Sequence, residues 1–140
     1  MTVAELEAFL AAEFPQMFNA ASGLHVESAR FHGARVRQAF RPEFLRPGGT
    51  VSGPTMMALA DVTMYVAVLA SIGPVPLAVT TNFSINFLRR PAQRDLIADA
   101  SLMKLGKRLA VGEVAIRSEG HDEPVAHVTS TYSIPSGYSR

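Results

Sequence analysis

Between Pro47 and Leu88 the 140-residue sequence carries one formally charged side chain, Asp61. It sits inside the apolar run PTMMALADVTMYVAVLAS, with Met57 and Tyr65 one helical turn to either side. An ionised carboxylate in such surroundings is costly unless donors reach it, and the usual escape is a raised pKa. Two readings are open. Asp61 is structural, bonded to a buried hydroxyl or backbone donor or turned out at the helix surface. Alternatively it is an acid/base or nucleophilic group in a dry pocket. The absence of Lys, Arg or His close to it in sequence favours the second.

A second chemical feature heads the same run. In Ser52-Gly53-Pro54 the proline suits a first helical turn, Ser52 or Gly53 is the cap, and glycine allows a ligand close to the backbone. The N–H groups of Gly53, Thr55 and Met56 then form a small site for negative charge, although any helix start after a Gly-rich loop looks similar. Gly53 and Asp61 are eight residues apart, about 12 Å along a helix. One reacting carbonyl cannot touch an oxyanion donor and a base so far apart. If both serve one reaction, they come from two copies of the chain packed helix beside helix about a two-fold axis, which makes two equivalent sites.

The elements that position these residues follow from pattern. Residues 3–13 read as an amphipathic helix with Thr2 as N-cap and Glu5 completing a capping box. Residues 24–30 and 34–40 read as strands joined by a turn at His32-Gly33; Ala34, Val36, Gln38 and Phe40 share one face of the second. A Pro/Gly-dense loop follows to Thr50. The run 54–71 is too long for a strand, is rich in helix formers and stops at Gly73-Pro74. As a membrane span it would hold Asp61 near its centre, and strands follow it, so it reads as a helix enclosed by a sheet. Residues 77–88, 95–105, 109–118 and 125–134 are four further strands, with hairpin turns at Gly106-Lys107 and residues 120–123. No crossover helices separate them, so the sheet is antiparallel.

Composition fits this reading. The length suits one domain, 1–140. Apolar residues make up 48% and charged residues only 18%, which excludes a disordered chain and suggests that a second copy covers much of the surface. The net charge of +1 does not call for nucleic acid or anionic membrane. Cysteine is absent, so thiolate catalysis and Cys-ligated zinc are excluded. The four histidines (25, 32, 121, 127) show no metal-ligand spacing. The N-terminus lacks a basic n-region, and a cytoplasmic location is the default expectation.

Three segments carry a family resemblance: GTVSGPTMMALADVTMYVA (49–67), VTTNFSINFLRRPA (79–92) and DLIADASLMKLGKRLAVGEVAI (95–116). Together they resemble the hotdog-fold acyl-CoA thioesterases of the phenylacetate-pathway (PaaI-like) and 4-hydroxybenzoyl-CoA type, over about 110 residues. The family has a long helix opening on His-Gly-Gly, an acid nine residues after that His, a strand of the type Thr-x-x-Phe-x-Ile-Asn-Phe-Leu-Arg-Pro-Ala, and a hairpin with Lys-x-Gly-Lys/Arg. The resemblance implies an α+β hotdog fold, with an antiparallel sheet of five to six strands around one long central helix and a short N-terminal helix. It implies a homodimer, paired into a homotetramer, that hydrolyses acyl-CoA; no cofactor is required, and coenzyme A enters as part of the substrate.

Carried over by position, Asp61 matches the family's catalytic carboxylate, as general base or nucleophile, and Gly53 the glycine whose N–H polarises the thioester carbonyl from the partner subunit. Thr80 is similar to the Ser/Thr that holds the water, with Thr81 one residue away as the other candidate. Ser52, Pro54, Met57, Tyr65, Thr81, Asn82 and Phe83 are the expected substrate contacts. Met57, Met64, Phe83 and Phe87 suit an apolar acyl pocket, and core packing explains them equally. Coenzyme A carries phosphates, and Arg89, Arg90, Lys107 and Arg108, with Arg94 and Lys104, are the cations expected to flank one cleft and meet them. Solubility at strand ends is the plain alternative.

Two positions depart from the family. Ser52 stands where it has His, and Arg46 where it often has Asn, a carbonyl-side donor. Loss of one such donor is worth about 10²–10³ in rate. Two other functions therefore stand beside hydrolysis: a hotdog dimer that binds acyl-CoA or another apolar ligand without turnover, and thioester dehydration, which lacks its His here.

Overall fold

The computed structural model describes residues 1–137; the last three positions of the expected 1–140 unit lie outside the described residues. Helix α1, Val3–Glu13, starts on the expected capping box. The Glu5 N–H donates to Thr2 Oγ1 at 3.1 Å, and the Thr2 N–H to Glu5 Oε1 at 3.0 Å. Its buried residues are Leu6 and Leu10. Strands β1 (Leu24–Arg30) and β2 (Gly33–Gln38) form a hairpin turned by His32, which adopts a positive φ of 70°.

The 41–50 segment is more ordered than its composition suggests. It holds a 3-10 turn, Pro42–Phe44, and a two-rung hairpin of β3 (Leu45–Arg46) and β4 (Thr50–Val51). Helix α2, Gly53–Ile72, follows at once and ends at Gly73, whose φ of 89° a side chain would disfavour. Strands β5 (Val79–Phe87), β6 (Leu96–Leu105), β7 (Leu109–Ser118) and β8 (Pro124–Ser133) complete the chain. Strand β5 starts two residues later than the apolar pattern suggested, since Leu77 is exposed before it.

The main sheet has six antiparallel strands in the order β1-β2-β6-β7-β8-β5. Its inner face wraps α2, which packs on β2, β6 and β7. From Val62 to Leu69 every α2 residue is buried. The helix is apolar and long enough to cross a membrane, but 61% of that window lies inside the fold. One tight approach of helix and sheet is at Gly112 of β7. A Cβ there would lie 2.9 Å from Met64 and 2.8 Å from the Ser101 carbonyl, so only glycine lets helix and sheet close up. This α+β arrangement matches the expected architecture, with six strands in the wrapped sheet.

Candidate active site

At the start of α2 one amide rather than the expected three is left without an acceptor among the described residues. Ser52 is the N-cap: its Oγ accepts from the Thr55 N–H at 3.4 Å and pairs with Thr55 Oγ1 at 2.8 Å. Its carbonyl takes the Met56 N–H at 3.4 Å, and Pro54 has no N–H. Among the described residues nothing accepts from the Gly53 N–H. The Phe87 ring lies over Gly53, where a Cβ would meet its Cζ at 3.2 Å. Arg46 is exposed on β3, its carbonyl closing the turn to Gly49.

Two turns along α2, Asp61 is half-buried rather than enclosed. It has the partners its local sequence lacked. Thr80 Oγ1 donates to Asp61 Oδ1 at 2.6 Å, and the Tyr132 hydroxyl lies 3.1 Å from the same oxygen and 3.0 Å from the Asp61 main-chain carbonyl. Thr80 and Tyr132 face each other in the β5–β8 ladder, where a bulge falls between Thr80 and Asn82. The bulge separates the two threonine candidates. Thr80 points at Asp61, whereas Thr81 is exposed and donates to the Thr131 carbonyl at 3.3 Å. Burial, and then the Asp61 carboxylate beside it, push the Tyr132 phenol up from its ordinary value. It therefore stays protonated and acts as a donor.

Tyr132 was not among the expected site residues. Its only signal is that it shares the inward alternation of Val128 and Ser130 on β8, which says buried and nothing more.

Asp61 stands where two concavities meet. The deeper, about 420 Å³, is walled by Phe14 and Met17 from the N-terminal segment, Val62 and Tyr65 from α2, and Tyr132, with Glu13 at its rim. The shallower, about 350 Å³, is lined by Met57, Ala58 and Phe83 with Asp61 and Thr80. Tyr65 stacks on Tyr132 at 6.0 Å between ring centroids, meets Phe14 edge-on at 6.4 Å and donates to the Pro76 carbonyl. It forms a wall of the deeper pocket.

Other expected contacts fall elsewhere. Met64 is sealed in the core against Gly112, and Phe87 covers the helix start. Pro54 opens on a separate depression with Arg41 and Thr55. Asn82 is exposed beyond the bulge. The cations split into two groups. Arg89 and Arg90 border a cleft with His121 and Asp122, Arg89 pairing with Glu123 at 3.2 Å, while Arg94 reaches the Glu119 carbonyl. Lys107 and Arg108 are exposed in the β6–β7 turn with Lys104 near by. The groups lie at opposite ends of ten-residue β6, about 30 Å apart by strand rise. One protomer therefore does not bring them into one cleft.

The fold is that of the hotdog thioesterases. The thioesterase superfamily model matches residues 48–125, more than half of the chain, and the chain belongs to that superfamily as a PaaI-like thioester hydrolase. It is similar to a provisionally assigned thioesterase from Silicibacter sp. TM1040, with 46% identity, TM-score 0.86, and coverage of 96% of this chain and 92% of that one. A mutant of the phenylacetic acid degradation protein PaaI from Thermus thermophilus is 30% identical, with TM-score 0.74, over 86% of this chain and 99% of that one. A provisionally assigned esterase from Halobacterium salinarum is 32% identical over 100 residues, which span 67% of this chain and 65% of the relative's length.

Proposed function

We propose that the chain hydrolyses small or medium acyl-CoA thioesters, aryl acyl groups included, with Asp61 of one protomer acting opposite Gly53 of the partner subunit. The carrying observation is a division of labour along α2. Asp61 is held by two hydroxyls at the edge of an apolar pocket, and the Gly53 N–H, eight residues earlier, meets no acceptor among the described residues. The two lie about 12 Å apart on one continuous helix, so a single thioester reaches both only between two chains.

The surface supports such a pairing. Strand β5 is a sheet edge; Phe87, Leu88 and Met57 are 51%, 49% and 40% exposed near the start of α2, and Val79 is 54% exposed at the other end of the strand. An edge strand with apolar neighbours gains most from being covered.

In this reading the thioester carbonyl oxygen points at the Gly53 amide, which stabilises the oxyanion as the carbonyl carbon becomes tetrahedral. Asp61 supplies the lone pair, to a water or to the carbon itself. Collapse of the adduct expels the CoA thiolate, which leaves as thiol once protonated. Where water attacked, the acid is released at once; where Asp61 attacked, water must then cleave the acyl–Asp61 anhydride to release the acid and restore the carboxylate. The wall of Phe14, Tyr65 and Val62 holds the acyl group by area rather than by polar contacts.

Release of CoA thiol from a panel of acyl-CoAs tests this. Asp61→Asn keeps shape and loses basicity, and its turnover should fall by at least about 10². Undiminished hydrolysis by that variant removes Asp61 from the chemistry.

A further inference from the structure

We propose that Tyr132 is the positioning residue of the site, a phenol that shares its single proton between the Asp61 carboxylate and the Asp61 main-chain carbonyl and so follows the charge state of the acid. This rests on the functional reading of Asp61 given above.

The geometry is asymmetric. Both hydroxyl donors, Thr80 and Tyr132, converge on Oδ1, and among the described residues none donates to Oδ2. Two donors on one oxygen fix the carboxylate plane and leave the other oxygen's lone pairs for a water or a thioester carbon. The Thr80 contact is short at 2.6 Å and comes from the edge strand β5. Tyr132 comes from β8, which is flanked on both sides by strands. It is 3% exposed, and its ring is stacked on Tyr65. The phenol is thus the more rigidly held of the two donors.

Its second acceptor explains how it tolerates turnover. A hydroxyl has one proton to give. When Asp61 is charged, Oδ1 is the stronger acceptor. When Asp61 takes up a proton or is acylated, the main-chain carbonyl 3.0 Å away accepts instead. The phenol proton is satisfied in both states, so neither leaves a buried donor unpaired.

Other titratable groups facing this point are few. Helix α1 contributes Glu13 at the pocket rim, α2 contributes Tyr65, and β5 contributes the non-titrating Thr80.

Tyr132→Phe removes the hydroxyl and keeps the ring and its stack. Measured with acyl-CoA hydrolysis on the intact protein beside Asp61→Asn, Tyr132→Phe should lower kcat about 10-fold with KM within about twofold. An inactive Asp61→Asn beside a Tyr132→Phe with wild-type kcat overturns the positioning role and leaves the proposed function standing. A fall in kcat that tracks a fall in melting temperature, or that comes with a matching rise in KM, overturns it as well, since that is the mark of a merely structural hydroxyl. An active Asp61→Asn overturns the reading of the site and this inference with it.

Discussion

Adjacent threonines at the start of β5 meet different fates, and the bulge between Thr80 and Asn82 decides which. Thr80 reaches Asp61 and Thr81 reaches a strand carbonyl. Thr80→Val keeps the branched shape and deletes the donor, so kcat for acyl-CoA hydrolysis should fall by about 10-fold or more, the worth of one hydrogen bond to a charged group. Thr81→Val, on the exposed side, should stay within about twofold of wild type. Steady-state kinetics of the pair reads the difference directly, and a larger loss in Thr81→Val would reverse the assignment. Asp61 was legible in the sequence because charge is absent for so long on either side of it, and Gly53 because a helix start is a local event. The choice between Thr80 and Thr81 was not legible, since a bulge is set by pairing with β8. Tyr132 was silent for the same reason: its contact with Asp61 spans 71 residues and depends on strand register.

The elements themselves were written more plainly. The capping box of α1, the contrast between alternating strands and the long apolar α2, and the glycine stops are local signals that folding does not overrule. The hairpin of β3 and β4 escaped because two-residue strands leave no period to read. Strand β2 is shorter than its alternation through residue 40 suggested, and the cause is a side chain. Asp95 Oδ1 accepts the Phe40 N–H at 2.8 Å in place of a ladder bond, while Oδ2 pairs with Arg37 at 3.1 Å. Arg37 also binds Glu27 and Glu119, and so ties β1, β2 and the end of β7 together. The Phe40 amide, and secondarily Arg37, hold the Asp95 carboxyl below its ordinary 3.8. A carboxylate depressed on folding stabilises the fold above its unfolded pKa, and the contribution is lost as pH falls through the folded value. With its side chain 29% exposed, Asp95 should contribute about 1–2 kcal/mol. In urea unfolding Asp95→Ala should be destabilised by that amount at neutral pH, and the gap from wild type should narrow as pH falls through the lowered carboxyl value. A gap that persists at acid pH would assign the loss to packing instead.

At the scale of the whole molecule the fold places its two chemical assets on one rigid helix and too far apart to cooperate within a chain. A continuous α2 does not bend to bring Gly53 and Asp61 together, because the 53–61 stretch is unbroken helix anchored in the core by Met56, Leu59 and Ala60. In the proposed two-chain site the pairing is a question of symmetry, and symmetry has an arithmetic. Gly53→Pro removes the N–H at a position where proline suits the first turn of a helix, and Asp61→Asn removes the base. Each variant alone should be nearly inactive in CoA-thiol release; Asp61→Asn should keep a melting temperature near wild type, and Gly53→Pro should lose a little because its ring carbon displaces Phe87. Co-expressed in equal amounts, they form hybrid dimers in about half of the molecules if assortment is random. In each hybrid one site draws its intact Asp61 from the Gly53→Pro chain and its intact amide from the Asp61→Asn chain, and the other site holds both lesions. The mixture should then regain about a quarter of wild-type activity per protomer, one restored site in two over half of the dimers. A site assembled within one chain would give no recovery, because every protomer would carry a lesion in its own site. Recovery near a quarter, together with a dimer mass in sedimentation, follows only if the acid of one copy works with the amide of the other.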